Sequence, residues 1–308
     1  MAKIICVGSV NVDITGYCFA VPEGGETLAG DFVKTSPGGK GSNQSVAAHR
    51  AGADVTLIAK MGNDAISSVL KDFYNSVNMP YDYIDVSEEH ATGIALIMVE
   101  KKTAQNRVLI IPGANLALDA SDAYANEEKF KETDVVICQL ETRMEPIMAA
   151  AELAKKYGKI FVLNPAPYKE LPAELWEKID YITPNESEAR ELTGVEINNI
   201  DDARRAAEIL LSRGVKNAII TLGVNGVFFK NAEFETHVDA IRMNAVDTTG
   251  AGDAFNGGFI TALADGKSIE EALKFATCTS AISVTRKGAA ASMPTKEEIE
   301  ELYNKHFN

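Results

Sequence analysis

Several features that would place this protein in other classes are missing from its sequence. No stretch approaches the roughly 18 consecutive apolar residues that a membrane-spanning helix needs. The first residues, MAKIICVGSV, lack the basic, apolar and small-residue regions of a secretory signal, so we expect a cytoplasmic protein. The four histidines form no metal-ligand spacing and the four cysteines include no CxxC pair, which disfavours a zinc or dithiol redox site.

The positions of the cysteines and the net charge further limit the kinds of site and partner that we expect for this protein. Cys6 and Cys138 lie in apolar, strand-like runs, and we expect both to be buried thiols of the core. The formal net charge of −14 at pH 7 repels the phosphates of nucleic acids and of anionic lipids. We therefore expect neither a nucleic acid nor a membrane as a partner. An anionic substrate would need a local pocket of N–H groups or cations.

The sequence does contain a regular alternation of short apolar runs and helical segments. The runs that look like buried parallel strands are residues 3–9, 55–62, 134–141, 159–166, 180–185 and 217–223. Helical periodicity lies between many of them, over residues 43–51, 146–157, 201–212 and 269–285. This order predicts an α/β fold of three layers, in which helices cover both faces of a mainly parallel sheet. Ligands of such sheets bind at the carboxyl ends of the strands.

Two stretches depart from this alternation. Residues 14–35 show little helical signal, and residues 93–111 resemble two strands around a polar turn. We expect them to form a small separate sheet beside the main one. The sequence has no low-complexity segment, internal repeat or long linker. We therefore expect residues 1–308 to form a single domain that carries the small sheet as insertions.

Residues 247–253, DTTGAGD, combine small residues with a carboxylate. Phe255 and Phe259 follow at a spacing that places them on one face of a helix. The triplet 250–252 would then expose the unpaired N–H groups of the first helical turn to an anion. Asp253 would face the same place, where it could accept a proton from a hydroxyl that attacks a phosphoryl group. The alternative is a glycine-rich turn followed by an ordinary N-terminal helix charge.

Two further stretches place polar side chains next to a turn. Residues 36–48, SPGGKGSNQSVAA, form a glycine-rich turn that enters a helix, but the GxxxxGK[ST] spacing of a Walker loop is absent. The first strand is followed by SVNVD and not by GxGxxG, which disfavours dinucleotide binding. Asn11 and Asp13 fall on one side of an extended segment, a spacing that suits neighbouring hydroxyls of a sugar. The alternatives are a helix cap at Ser42 or Asn43 and turns held by Asx hydrogen bonds.

Together, these three stretches resemble the ribokinase family, the phosphofructokinase-B group of carbohydrate kinases. DTTGAGDAFNGGF resembles the C-terminal signature of the family, and SPGGKGSNQSVAA resembles the N-terminal one. The resemblance covers essentially the whole chain, because QLE, NPAP, TPNESE, ITLG and VTRKGA come in the family's order. It implies the family's α/β fold with a small β-sheet lid. It also implies an ATP-dependent kinase that phosphorylates a sugar, most closely the 5-hydroxyl of D-ribose.

The resemblance implies roles for individual residues at the sugar end of the site. Asp253 is the expected catalytic base, and the expected anion hole for the transferring phosphate consists of Gly250, Ala251 and Gly252. The family's sugar contacts carry over to Asn11, Asp13, Gly39, Lys40, Asn43, Glu141 and Asp253. Carboxylates accept hydrogen bonds and amides both accept and donate them, so the set suits the hydroxyls of a neutral sugar.

The resemblance also implies sites for ATP, Mg²⁺ and a monovalent cation, usually K⁺. Asn185 and Glu188 form the family's NxxE motif, which positions magnesium-bound water and phosphate oxygens, whereas Glu188 read alone is a solvated helix charge. The other expected nucleotide contacts are Thr221, Gly223, Asn225, Gly226 and Gly252. The expected monovalent-cation ligands, mostly backbone carbonyls, are Asp247, Thr249, Ser283, Arg286, Gly288 and Ser292.

The resemblance further implies a homodimer in which two lids clasp each other. Residues 94–100 carry apolar side chains on more than one face, which fits a lid that a partner buries, although a hairpin packed on its own domain is the alternative. The lid would exclude water that competes with the sugar for the phosphoryl group. Other functions on this scaffold are kinases for 2-deoxyribose, another sugar or a nucleoside. A function of a different class is a non-catalytic sugar or nucleotide sensor, which has no need of Asp253.

Overall fold

The computed structural model describes residues 1–103 and 105–307. The strands are β1 (Lys3–Val7), β2 (Asn11–Cys18), β3 (Phe32–Gly38), β4 (Asp54–Gly62), β5 (Ile84–Ser87), β6 (Gly93–Glu100), β7 (Asn106–Ile111), β8 (Val135–Cys138), β9 (Ile160–Leu163), β10 (Tyr181–Ile182), β11 (Asn217–Thr221), β12 (Val227–Asn231) and β13 (Glu235–Val238). The α-helices are α1 (Lys40–Arg50), α2 (Ser68–Ser76), α3 (Ala120–Ala125), α4 (Glu127–Glu132), α5 (Met144–Lys156), α6 (Ala173–Trp176), α7 (Glu186–Thr193), α8 (Ile200–Ser212), α9 (Ala251–Ala264), α10 (Ile269–Ser283) and α11 (Lys296–Phe307). Short 3₁₀ helices span Ala65–Ser67, Gly113–Ala117, Gly223–Asn225 and Ala290–Ser292. Ala104, within the expected insertion 93–111, and Asn308 lie outside the described residues.

The larger sheet of the described chain has nine strands in the order β13-β12-β11-β10-β9-β8-β1-β4-β5. Every neighbouring pair from β11 through β1 to β5 is parallel. β12 and β13 are antiparallel to their neighbours at one edge. The mainly parallel sheet confirms the predicted fold class. The strands predicted from the apolar runs are β1, β4, β8, β9, β10 and β11, which form its parallel centre together with β5 at the edge.

Helices cover both faces of this sheet. Because successive side chains of a strand point to opposite faces, β1 sends Ile4 and Cys6 into one core and Ile5 and Val7 into the other. The first core also contains side chains of α1, α2, α9, α10 and α11, and the second contains side chains of α3 to α8. Cys6 and Cys138 are buried free thiols, as predicted. None of the helices in the described ranges is long and apolar enough to cross a membrane.

Two helices of the site have boundaries that differ from the periodicity. α1 begins at Lys40, three residues earlier than predicted, because Gly39 turns the chain directly into the helix with a φ of 87° that favours glycine. α10 ends at Ser283, two residues earlier than predicted. There the carbonyl of Val284 accepts the backbone N–H of Asp247 at 3.1 Å. This bond joins the end of α10 to the segment that precedes α9.

The smaller sheet has the order β3-β2-β6-β7 among the described residues. β2 pairs antiparallel with β3 and parallel with β6, and β6 pairs antiparallel with β7. Its first two strands extend beyond the stretch 14–35, since β2 starts at Asn11 and β3 ends at Gly38. Asn11 and Asp13 therefore lie on a strand of the small sheet, where they pair with Gly38 and Ser36.

Candidate active site

The carboxylate of Asp253 lies in the first turn of α9 and is held by two amides from α1. Asn43 Nδ2 donates to Asp253 Oδ2 at 2.9 Å, and Gln44 Nε2 donates to Asp253 Oδ1 at 2.9 Å. The carboxylate is buried, with 6% of the residue exposed. α1 and α9 approach closely because Gly257 has no side chain, and a Cβ there would lie 2.3 Å from the Cβ of Ala47. The structure thus brings together Asn43 and Asp253, which the sequence separates by 210 positions.

The turn that precedes α9 exposes unpaired backbone N–H groups. Gly250 adopts a φ of 78°, and a Cβ there would lie 2.9 Å from the Cβ of Ala289. The N–H of Ala251 donates to the carbonyl of Thr248 at 3.2 Å, whereas the N–H groups of Gly252 and Asp253 donate to no acceptor in the described part of the chain. Apart from the adjacent residues and the backbone of α9 itself, no atom of the described chain lies within 4 Å of the position of a Cβ on Gly252. This open helix N-terminus can bind an anion directly beside the Asp253 carboxylate.

Glu141 anchors the start of α1 to the loop that follows β1. Its Oε2 atom accepts a hydrogen bond from Ser9 Oγ at 2.5 Å and from the backbone N–H of Lys40 at 2.9 Å. The glycines of the turn allow these segments to meet. A Cβ on Gly41 would lie 2.5 Å from the backbone nitrogen of Ser9, and a Cβ on Gly39 would lie 2.8 Å from that of Asn11. The GGKG turn therefore serves close packing between loops.

Asn11 is oriented by a buried amide that follows the small sheet. Asn115 Nδ2 donates to Asn11 Oδ1 at 2.8 Å and to the carbonyl of Val10 at 3.1 Å, and Asn115 Oδ1 accepts the N–H of Val10 at 2.9 Å. The Oδ1 atom of Asn11 is thus occupied. Its Nδ2 atom donates to no described acceptor and is the group available to a ligand hydroxyl.

Charged side chains of both signs lie close enough together in the site to shift one another's pKa values. Burial, and to a smaller extent the charges of Glu141 and Asp253, together raise the pKa of Asp13 to about 7. Burial also raises the pKa of Asp253, against the opposing effects of Lys40 and of the Gln44 and Asn43 amides. For Lys40, burial lowers the pKa, but Asp253, Glu141 and Glu188 outweigh it and raise the pKa overall. Lys40 therefore stays charged and stabilises the ionised carboxylates around it.

Asn43 offers one more free group in this cluster. Its Oδ1 atom is buried and has no hydrogen-bond partner among the described residues. Buried polar atoms are rarely left unpaired in native proteins, and those that are require an explanation. A ligand hydroxyl that donates to Asn43 Oδ1 would supply the missing bond. The sugar-site prediction for Asn43 is thus compatible with its surroundings.

Asn185 and Glu188 form a capping box at the start of α7. Asn185 Oδ1 accepts the N–H of Glu188 at 2.9 Å, and Glu188 Oε2 accepts the N–H of Asn185 at 2.9 Å. Burial raises the pKa of Glu188, and the Asn185 N–H and Lys40 oppose this rise. Glu188 Oε1 accepts no hydrogen bond from a described residue. The NxxE motif therefore caps the helix and still leaves one carboxylate oxygen for a ligand.

The turn after β11 lies beside Asn185, which forms a bridge with Thr221. Gly223 and Gly226 adopt positive φ values of 53° and 87°, and a Cβ on Gly226 would lie 2.0 Å from the carbonyl oxygen of Val238. Glycine is required at Gly226 by this contact. The structure thus places the predicted residues of the nucleotide loop next to the NxxE motif.

The residues predicted to bind a monovalent cation lie where two loops meet. Asp247 Oδ1 accepts the N–H of Thr249 at 3.0 Å, and Asp247 Oδ2 accepts the N–H of Gly288 at 2.9 Å. The guanidinium of Arg286 pairs with Glu298 instead of facing these loops. Of the six predicted ligands, the backbone carbonyl of Ser283 accepts the N–H of Arg286 at 3.1 Å. The carbonyls that accept no hydrogen bond from the described residues are those of Asp247, Thr249, Arg286, Gly288 and Ser292. Such oxygens suit a hard cation, whereas the described chain has no cluster of three or more His, Cys, Asp or Glu side chains for a metal.

Three buried amide side chains to which the sequence analysis gave no role form a hydrogen-bonded group that reaches the Asp253 carboxylate. Gln44 Nε2 donates to Asn164 Oδ1 at 2.9 Å in addition to Asp253, and Gln44 Oε1 accepts from Gln139 Nε2 at 2.7 Å. Gln44 stands next to Asn43 in the motif SNQ, while Gln139 and Asn164 directly follow β8 and β9. Their positions after strands were the available signal, because the carboxyl ends of parallel strands meet at one edge.

The chain matches the pfkB family carbohydrate kinase profile over residues 1–296. It belongs to this kinase family. A ribokinase of Haemophilus influenzae is 40% identical over 98% of this chain and 99% of its own length, and a deoxyribokinase of Salmonella typhi is 37% identical over 97% of each. The solved structure of Arabidopsis thaliana ribokinase complexed with ribose and ATP has a TM-score of 0.94 to this kinase, with 30% identity and coverage of 100% of both chains.

Because the chain belongs to a family of carbohydrate kinases, the groups around Asp253 can be related to phosphoryl transfer. In a carbohydrate kinase, a hydroxyl must lose its proton while negative charge develops on the phosphoryl group. This kinase places a buried carboxylate and two unpaired N–H groups in consecutive positions, at Gly252 and Asp253. The carboxylate of Asp13 lies close enough to Asp253 for the two charges to interact, and the Oδ1 atom of Asn43 has no hydrogen-bond partner among the described residues.

Proposed function

We propose that this protein is an ATP-dependent kinase that phosphorylates the 5-hydroxyl of D-ribose and yields D-ribose 5-phosphate and ADP. The observation that carries the proposal is the Asp253 carboxylate, fixed by Asn43 and Gln44 beside the unpaired N–H groups at the start of α9. The ribokinases among the relatives, which align over nearly their full length, support ribose as the acceptor.

Asp253 is proposed as the general base. The 5-hydroxyl oxygen of the sugar forms a bond to the γ-phosphorus of ATP, the bond from that phosphorus to the bridging oxygen of ADP breaks, and the hydroxyl proton passes to Asp253. Each carboxylate oxygen accepts one amide N–H and keeps a further acceptor site for the hydroxyl. Bases of this kind contribute about 10²- to 10⁴-fold to the rate.

The turn of Gly250, Ala251 and Gly252 is proposed as the anion hole. The N–H groups of Gly252 and Asp253 would stabilise the charge that develops on the transferring phosphoryl group, because they have no other acceptor among the described residues. Loss of one such donor typically costs about 10²- to 10³-fold in turnover. The N–H of Ala251 instead holds the turn through Thr248.

The sugar is proposed to bind between the small sheet and the start of α1. Asn11 Nδ2 would donate to one hydroxyl, and Asp13 and Asn43 Oδ1 would accept from others. Lys40 balances the charge of the carboxylates, and Glu141 holds the Lys40 backbone in place. Gly39 lets the chain approach Asn11 closely.

ATP is proposed to bind along the α7 and β11 side of the site. Asn185 and Glu188 would hold the water shell of Mg²⁺, and the turn Gly223–Asn225 with Thr221 and Gly226 would contact the nucleotide. When bound, Mg²⁺ neutralises charge on the phosphates and orients them. A potassium ion is proposed at the free carbonyls of the 247–249 and 286–288 segments, where it would stabilise the anion-hole turn, with Ser283 and Ser292 as further ligands.

The small sheet is proposed to act as a lid and as the interface of a homodimer. All residues of β7 are exposed, and they include Val108 and Leu109 with 53% and 60% of their surface accessible. Val33 of β3 is 65% exposed. Exposed apolar patches of this kind mark protein interfaces, and a second copy of the lid offers a matching apolar face.

A second candidate is a kinase for 2-deoxyribose, because the deoxyribokinase relative is nearly as similar as the ribokinases. We would measure turnover of ATP with Mg²⁺ and K⁺ across D-ribose, 2-deoxy-D-ribose, fructose 6-phosphate and adenosine. A large preference in kcat/KM for D-ribose is expected. A preference for another acceptor moves the function to a sister kinase, and no turnover with any of them supports a sensor.

A further inference from the structure

Both N–H groups of the Gln44 side-chain amide and its oxygen are hydrogen-bonded within the described chain. Its Nε2 atom donates one N–H to Asp253 Oδ1 and the other to Asn164 Oδ1, both at 2.9 Å. Its Oε1 atom accepts from Gln139 Nε2 at 2.7 Å. The side chain is fully buried, so no water competes for these bonds.

The neighbours of Gln44 leave its amide only one orientation. Gln139 Nε2 donates to Gln44 Oε1 and also to Cys6 Sγ at 3.5 Å, so a donor faces the oxygen of Gln44. If the amide of Gln44 turned over, its oxygen would face the carboxylate of Asp253 and its N–H groups would face Gln139. The contacts with Asp253, Asn164 and Gln139 would each lose a hydrogen bond, and the contact with the Asp253 carboxylate would also become repulsive.

The bond to Asn164 continues as a chain of buried groups. Asn164 Nδ2 donates to the carbonyl of Thr183 at 3.0 Å, and Thr183 Oγ1 donates to Asn256 Oδ1 at 2.7 Å. Asn256 Nδ2 then donates to the carbonyl of Gly252 at 2.9 Å. The chain therefore starts at the side chain of Asp253 and ends on the residue directly before it. Members of the chain come from α1, from the ends of β9 and β10, and from α9.

We propose that Gln44 is a positioning residue of this kinase that holds the Asp253 carboxylate in one orientation relative to the 250–252 turn, through the chain Asn164–Thr183–Asn256 that ends on the Gly252 carbonyl. Neighbouring Asn43 binds the other carboxylate oxygen, but it also has a free acceptor for the sugar. Both N–H groups of Gln44 are used within the protein, so Gln44 would act on the reaction through Asp253 and this chain and not by contact with the sugar. The inference rests on the proposed role of Asp253 as the base.

The charged groups around Asp253 determine how the loss of the Gln44 side chain would change the pKa of this carboxyl. Burial raises the pKa of this carboxyl, Lys40 and the two amides oppose the rise, and Glu141 adds to it. Asp13 and Glu188 are further carboxylates whose charges interact with that of Asp253. Removal of the Gln44 N–H takes away a donor that favours the ionised form. The base would then require a higher pH to lose its proton, and its carboxylate would be free to rotate.

The test is the pH profile of kcat for Gln44→Met, which keeps the length of the side chain and removes its polar groups. We expect kcat at neutral pH to fall at least about 10-fold, the acid limb to move upward by roughly one to two pH units, and the dissociation constant of D-ribose to change less than about 3-fold. Asn217→Leu is the matched control, because Asn217 Nδ2 donates to the carbonyl of Asp180 at 2.9 Å and contacts no residue of the site. It should lower stability without a shift of the profile.

Gln44→Glu provides a second variant in case the methionine variant does not fold. Glutamate has the same shape and can still accept from Gln139, but it faces Asp253 with a second carboxylate and should move the acid limb upward by at least about one unit. An unchanged profile in either variant, or a loss of kcat that is equal at all pH values, would overturn the inference. Asp253→Asn separates this result from a failure of the proposed function: near-normal turnover in that variant refutes the base itself.

Discussion

Substitutions at two neighbouring glycines of α9 test whether the contact between α1 and α9 sets the geometry of the Asp253 carboxylate. Gly257 faces α1, and a Cβ there would lie 2.3 Å from Ala47 Cβ and 2.9 Å from the carbonyl oxygen of Gln44. Carbon atoms in contact are about 3.5–4.0 Å apart, so Gly257→Ala must move α1 and α9 apart by about 1.2–1.7 Å. Displacements of about 1 Å can cost 10²-fold in rate, and we expect a loss of kcat of that order because the amides of α1 leave Asp253.

Gly258 is the matched control for this substitution. A Cβ there would lie 2.4 Å from Thr279 Oγ1 on α10, so Gly258→Ala also overpacks the core but leaves the contact of α1 with α9 intact. Overpacking costs about 1–3 kcal/mol, and the higher helix propensity of alanine offsets about 1 kcal/mol of this. Chemical denaturation would measure stability and steady-state ATP turnover would measure kcat. Equal kcat values for the two variants would refute the view that the α1–α9 contact sets the geometry of the base.

Three further predictions concern the sugar, the cation and the dimer. Since burial and the nearby Glu141 and Asp253 carboxylates raise the pKa of Asp13 to about 7, its ionised form appears only as the pH rises through that value. Ribose affinity measured by calorimetry should therefore increase with pH there, and a flat profile would contradict this role. Removal of K⁺, or its exchange for Na⁺, should lower turnover, and unchanged activity would exclude the proposed cation site. Leu109→Glu should shift the protein from dimer to monomer in analytical ultracentrifugation, because it places charges on the exposed apolar strand β7; a dimer that persists would place the interface elsewhere.

Six of the seven parallel strands were predictable because burial leaves a periodic pattern in the sequence, whereas the edge strand β5 was not predicted. The six apolar runs correspond to the central strands of the larger sheet, and the helix start expected at residues 250–253 corresponds to the start of α9. The antiparallel edge strands β12 and β13 were not predicted, although Val227, Phe228 and Phe229 at the start of β12 are buried. β12 pairs with β11 and β13 pairs with β12, and no local pattern of the chain reports these pairings.

Some features of the site could likewise be predicted from the sequence, whereas others required the tertiary structure. The sequence by itself determined several chemical groups: the small turn before Asp253, the glycines before α1 and the amide of Asn43 can all be read as parts of motifs. Only the tertiary structure decided which groups meet, because Gln44, Gln139 and Asn164 look like ordinary polar residues near turns until the sheet brings their elements together. The physical reason is that hydrogen bonds act over about 3 Å in space, whereas residue patterns report only neighbours along the chain.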